Sequence, residues 1–180
     1  MSRWLAYESR MWLSLYRWIR RQGPSGYTYI KPLNAVLWAF IIVSAVETVA
    51  LHLILPWKIV RIIVDVLSVY GLVWMFGILA GYKVNPHTID GDGIRLRQGF
   101  FVEEFVPWDA LSTARVGKRY HSENKMRLVD GQTVSLVVSG QTNVELHTAD
   151  GGLIRFYADE PDAFAAALER ELPLRPPSGS

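Results

Sequence analysis

From Leu33 to Tyr82 about fifty residues are almost all apolar, and this stretch restricts the possible folds more than any other feature of the chain. A bilayer-crossing helix needs about 20 residues, so the stretch is long enough for two crossings and too long for one. Pro56 and Lys58 in "LPWK" (residues 55–58) supply a break, which predicts one helix over about 34–55 and a second over about 59–81. Yet "SAVETVALHLILPWKIVRIIVDVLSV", residues 44–69, carries Glu47, His52, Lys58, Arg61 and Asp65.

Charge divides along the same lines. Residues 1–32 hold six basic side chains against one acidic, residues 33–82 two against two, and residues 83–180 eleven against fourteen. Basicity belongs to the N-terminal arm, so the C-terminal part lacks the basic face of a nucleic-acid-binding domain, and no nucleic-acid partner is expected. The chain has no cysteine, which excludes disulfides, thiolate metal sites and Cys nucleophiles. Two crossings leave both ends on one side. Arginines cluster before the first helix, and Lys83, Arg95 and Arg97 follow the second, while the connection offers only Lys58 with Arg61 at its edge. The positive-inside rule then predicts a multi-pass protein of the cytoplasmic (inner) membrane with both termini cytoplasmic.

The N-terminus does not read as a secretory signal, because no continuous apolar core follows its first arginine. Residues 1–32 read instead as an amphipathic helix and a linker. At 100° per residue Arg3, Arg10, Ser14, Arg17 and Arg21 fall within roughly 60° of one another. Trp4, Leu5, Met11, Trp12, Leu15, Tyr16, Trp18 and Ile19 take the other side. Aromatics opposite arginines suit a helix lying among lipid headgroups, anchored by Arg3, Trp4, Arg10, Trp12, Arg17, Trp18 and Arg21. A helix packed on the protein's own soluble domain is the alternative.

Depth sorts the polar groups of the hairpin. His52 and Arg61 lie about 7 Å from the turn, within reach of the outer interface. Glu47 and Asp65 lie roughly 13 Å from it, near the bilayer centre. Arg61 and Asp65, at i and i+4, are spaced to pair on one face; Glu47 has no comparable partner on its helix. Burying such a charge costs at least about 2.5 kcal/mol. Three readings stay open: a structural polar contact within the hairpin, a contact with a basic or polar group of another subunit, and a proton or ion pathway, which also requires oligomerisation. "GILAG", Gly77 to Gly81, matches the small-xxx-small packing pattern.

After Tyr82 the pattern changes to alternation. "YKVNPHTIDGDGIRLRQGFFVEEFVPW" divides into a strand, a "DGDG" turn, a strand, a "QGF" turn and a strand. A second turn centred on Gly99 sets Arg95 opposite Glu103 and puts Ile94, Leu96, Val102 and Val106 on one face. "WDAL" is a turn, and "STARVGKRY", "KMRLV", "TVSLVV", "TNVELHTA" and "LIRFYA" are further strands. In "DEPDAFAAALEREL" Asp159 suits an N-cap and Pro161 the first turn, with Phe164, Leu168 and Leu172 as the apolar stripe. The fold class is therefore a membrane α-helical hairpin (33–82) plus an all-β domain with a C-terminal helix (83–173), ending in a flexible tail (174–180).

About seven antiparallel strands and a closing helix follow the order of a pleckstrin-homology-like barrel. Tandem membrane helices followed by "NPHTIDGDGIRLRQGFFVEEFVPWDALSTARV" resemble the bacterial pleckstrin-homology-like membrane proteins. Val106, Pro107, Trp108 and Leu111 match that family's I/V-P-W-x-x-I/L step, and the resemblance covers residues 34–172. It implies a scaffold or sensor on the cytoplasmic face and supplies no catalytic residue.

The remaining candidates are few. "DGDG" lacks the spaced carboxylates of a calcium loop and reads as a hairpin turn. Glu145 and His147, two apart on a strand with Asp150 near, lack a third ligand and read as solvent-facing. His87 and His121 sit beside turns. Arg115, Lys118, Arg119, Lys125 and Arg127 are the one basic cluster of the β domain, suited to anionic headgroups or to a solvated loop balanced by Glu123 and Asp130. The expectation is a non-enzymatic protein without metal or cofactor. It would hold a protein-interaction or headgroup-binding module on the membrane, alone, as a homo-oligomer or with a membrane partner. The rival is an accessory subunit of a transporter or energy-coupled complex that uses Glu47 and Asp65.

Overall fold

A computed structural model describes residues 3–123 and 125–171, with the side chains of Arg3 and Trp4 left aside. Leu172 and the tail 174–180 lie outside the described residues, as do the side chains of Arg3 and Trp4 in the anchor set.

Helix α1 covers Arg3–Ile19, α2 Lys31–Ile54 and α3 Lys58–Val84. α2 and α3 have 24 and 27 residues, so they span about 36 and 40 Å, more than the ~30 Å of a hydrocarbon core. Both are long and apolar enough to cross a membrane, and only 6% and 11% of their apolar windows are buried. That exposure separates them from the core helices of a soluble domain, which pass the same length test while mostly covered. Pro32 opens α2, and Leu55–Trp57 turns the chain into α3.

α3 runs through Lys83 and Val84, so the expected strand at "YKV" is instead its last turn. Asn85 ends it, donating its Nδ2 to the Gly81 carbonyl at 2.9 Å, and Pro86 prevents continuation. The glycines of "GILAG" fit neighbours of the same chain: a Cβ on Gly77 would collide with Met11 of α1, and one on Gly81 with Phe100.

Eight strands follow: β1 Thr88–Asp90, β2 Gly93–Gln98, β3 Val102–Pro107, β4 Leu111–Tyr120, β5 Arg127–Asp130, β6 Thr133–Leu136, β7 Gln141–Thr148 and β8 Leu153–Phe156. They form a sheet ordered β1-β2-β3 and another ordered β4-β7-β8-β6-β5. β6 and β8 run parallel, which corrects the all-antiparallel expectation at that pair. α4, Pro161–Glu171, turns Phe164 and Leu168 into the core. Ile94, Leu96 and Val106 of the first sheet meet Leu136, Val144, Leu146 and Phe156 of the second, with Trp108 and Leu111 between.

The β2–β3 register differs from the sequence expectation by two residues. Arg95 pairs with Phe105 and Arg97 with Glu103, because the turn centres on Phe100, one residue past Gly99. The apolar face is unchanged, since a two-residue shift preserves side-chain parity. Glu103 still lies 3.6 Å from both Arg95 and Arg97. At the preceding turn a Cβ on Gly93 would strike the Val106 carbonyl, which reserves that position for glycine.

Candidate functional site

A second apolar cluster joins the two parts of the molecule. Tyr29, Tyr82 and Val138 are buried together, packed by Ile30, Leu33, Leu37, Ile78 and Tyr157. The Tyr29 hydroxyl donates to the Asn85 carbonyl at 2.9 Å and accepts the Gly99 amide at 2.7 Å. Burial raises its pKa above the ordinary tyrosine value.

His87 stacks on Tyr29 at 4.5 Å between ring centroids. Its Nδ1 accepts the Arg97 amide at 3.0 Å, so its Nε2 carries the proton and donates to the Tyr157 carbonyl at 2.9 Å. Burial pushes its pKa down to about 4, and the imidazole stays neutral. Tyr27 and His87 also exchange backbone hydrogen bonds.

Asp159 was expected to cap α4. Its carboxylate instead accepts the amides of Ile30 and Lys31 at 3.1 and 3.0 Å, capping α2 from 128 residues away. The negative charge there complements the helix dipole and two otherwise orphaned N–H groups. None of this was visible in the sequence. The "SGYTYIKP" segment carries a hint, with two tyrosines two apart beside a helix start, but no local rule names their partners.

α1 lies along the C-terminal half of α3. Met11 fills the Gly77 notch, and Ser14 is buried beside it. Tyr70 donates its hydroxyl to Glu8 at 3.0 Å and accepts Trp74 Nε1 at 2.9 Å. Arg17 reaches Asn85 Oδ1 at 3.4 Å, and Lys83 sits 5.5 Å over the Trp18 ring. Arg21, in the left-handed region (φ 53°), ends the helix while the Arg21 and Gln22 amides return to Trp18 and Arg17.

α1 therefore has three sectors. One meets α3; Arg10 stands exposed in the basic sector; and Leu5, Trp12, Tyr16 and Ile19 form an exposed apolar stripe beside the hairpin. Ser14 and Arg17, assigned from the sequence to the polar face, turn toward the base of α3.

Within the hairpin, Asp65 is joined to His52 across the two helices, with His52 Nδ1 and Asp65 Oδ2 2.8 Å apart. This corrects the expected Arg61–Asp65 pair: the interhelical side chain comes closer than the i,i+4 neighbour. The second oxygen of Asp65, Oδ1, is buried without a hydrogen-bond partner among the described residues. Glu47 is exposed on α2 and makes no hydrogen bond or ion pair among the described residues. Beside Asp65 an apolar groove of about 410 Å³ runs along α3, lined by Val66, Val69, Tyr70 and Val73, with Trp12 as its other wall.

The basic cluster of the β domain divides. Arg119 and Arg155 both bind Glu145 Oε1, at 2.6 and 2.9 Å; burial pushes this carboxyl up, but the two guanidiniums outweigh it and hold it below the ordinary value. Arg115 is the register partner of Glu145, and Arg127 pairs with Glu104 at 3.2 Å. Lys118 stands 5.1 Å over the exposed Tyr120 ring, and Lys125 pairs with Glu123.

His121 and Met126 adjoin the Val137–Gly140 segment, which meets the base of the hairpin. Val138 there packs on Tyr29 and Tyr82, while Gly140 accepts the His121 amide and Met126 the Val137 amide. The Glu145–His147–Asp150 grouping does not converge, since Asp150 instead accepts from Thr148 and the Gly152 amide. Among the described residues no three His, Asp or Glu side chains gather as metal ligands. Compared with models of known families, with characterised proteins and with solved structures, the chain finds no match.

Proposed function

We propose that this protein is a non-enzymatic scaffold of the cytoplasmic membrane, with both termini cytoplasmic, that presents its β domain to a protein partner or a lipid headgroup. The observation that carries this reading is the junction at Tyr29, His87 and Asp159. It ties the β domain to the base of the hairpin, so the domain is held in one orientation on the membrane. The exposed apolar stripe of α1 and the lysines near Tyr120 support a surface that touches headgroups. Two facing sheets and a terminal helix support the pleckstrin-homology-like reading; the parallel β6–β8 pair departs from that order.

Reporter fusions at each terminus test the topology, with cytoplasmic signal expected from both; opposite sides would refute it. Pull-down in mild detergent, comparing the native chain with Glu47→Leu and Asp65→Leu, tests the interaction. Loss of a partner in either variant supports the scaffold, and unchanged partners with unchanged oligomer size count against it.

The accessory-subunit reading has one observation in its favour: Glu47 and Asp65 Oδ1 have no partner among the described residues. It predicts that Glu47→Gln abolishes the activity of the complex while assembly survives.

A further inference from the structure

We infer that the groove beside Asp65 is the docking site for a transmembrane helix of a different protein, and that this helix carries a Lys or Arg at the depth of Asp65. The inference rests on the scaffold reading above and names the chemistry of its partner. The groove walls, Val66, Val69, Val73 and Trp12, are apolar side chains that suit another helix. Tyr70 on its floor is already engaged by Glu8 and Trp74, which leaves Asp65 to supply the polar specificity.

Asp65 gives one oxygen to His52, its other oxygen has no partner among the described residues, and the side chain, 28% exposed, lines the groove. In hydrocarbon no water completes that hydrogen bond, and lipid tails carry no donor. A basic side chain supplies both the donor and the countercharge. Seven residues from the start of α3, Asp65 lies about 10 Å below its outer end, within reach of a Lys or Arg stem from a neighbouring helix.

A second copy of this chain fits less well. Its two membrane helices offer Arg61, with Lys58 at the helix start, against the two carboxylates Glu47 and Asp65. A homodimer would leave an intramembrane acid in each copy without a guanidinium. A partner with its own basic residue at that depth supplies a cation to Asp65 directly.

The test places a photo-cross-linking amino acid at Val69 of the full chain in intact membranes, with each adduct identified by mass spectrometry. The expected result is a dominant adduct with a membrane protein whose span carries Lys or Arg within a turn of Asp65's depth. Asp65→Asn, which retains a hydrogen-bonding group for His52, should cut its yield about tenfold or more, equivalent to losing a contact of at least ~1.4 kcal/mol. Exchanging charges, Asp65→Lys with Asp at the partner's basic position, should restore it.

A second variant keeps the carboxylate. With the probe at Val73, Val66→Trp fills the groove and should also remove the adduct. Adducts only with lipid, only with a second copy, or unchanged by Asp65→Asn or by Val66→Trp overturn the inference. A parallel probe at Tyr120 separates the two claims. A protein caught at Tyr120 with none at Val69 overturns the groove and leaves the scaffold standing, whereas capture at neither position overturns both.

Discussion

The junction and the apolar α2–α3 pin treat their polar side chains in opposite ways. At the junction Tyr29, His87 and Asp159 each make two side-chain hydrogen bonds to backbone groups of distant segments. In the pin Asp65 makes one and Glu47 none among the described residues. A polar group with every partner supplied by its own chain orients the structure. One left incomplete in a low-dielectric medium costs free energy that folding alone does not recover. The difference separates two kinds of site: the junction completes its own contacts and holds the molecule together, whereas Asp65 and Glu47 are left incomplete among the described residues.

Substitutions at the two regions should therefore behave differently. The largest effect is expected for Tyr29→Ala, which empties a fully buried aromatic site and should cost about 3–5 kcal/mol in denaturant unfolding in detergent. Tyr29→Phe keeps the ring, strands the Gly99 amide and should cost about 1–3 kcal/mol. Asp65→Leu in the pin should cost less than Tyr29→Phe, because it also removes a buried atom that has no partner. A larger loss for Asp65→Leu would break the comparison.

His87 adds a pH signature to the junction. Its folded pKa of about 4 lies below the unfolded value near 6.5, so the unfolded chain binds the extra proton between these limits. Stability is unaffected by this group above pH 6.5, falls as pH drops through the window, and levels below about 4. The total is roughly 3 kcal/mol. Unfolding midpoints measured from pH 7 to 4 should show this slope, and His87→Gln should flatten it while lowering stability throughout. Asp159→Ala should cost about 1 kcal/mol through loss of the α2 cap, read as a lower melting temperature. Glu145→Gln keeps an acceptor for Arg119 and Arg155 at this mostly covered site but removes the charge they share, and should cost about 1 kcal/mol.

Much of the architecture is legible in the residues. The run from Leu33 to Tyr82 with its Pro56 break gives two long helices within a few residues of their observed ends. Alternation gives the strands and puts Ile94, Leu96 and Val106 inside; even the β2–β3 register error left that face intact. Less of the candidate site is legible. His87 looked like an ordinary turn neighbour, yet it is a buried, tautomer-locked hub. Arg61 looked like the partner of Asp65 because helix spacing is visible along the chain and the distance to the neighbouring helix is not.

The sequence by itself determined the elements and their faces, because hydrophobic period and segment length act locally and are written in consecutive residues. Only the tertiary structure decided which helix Asp159 caps, that Met11 and Phe100 occupy the notches at Gly77 and Gly81, and that one oxygen of Asp65 has no partner among the described residues. Those outcomes depend on which surfaces meet across as many as 129 residues of chain. A carboxylate caps, pairs or stays unmatched according to the donor that packing brings within about 3 Å, and local spacing does not specify that donor.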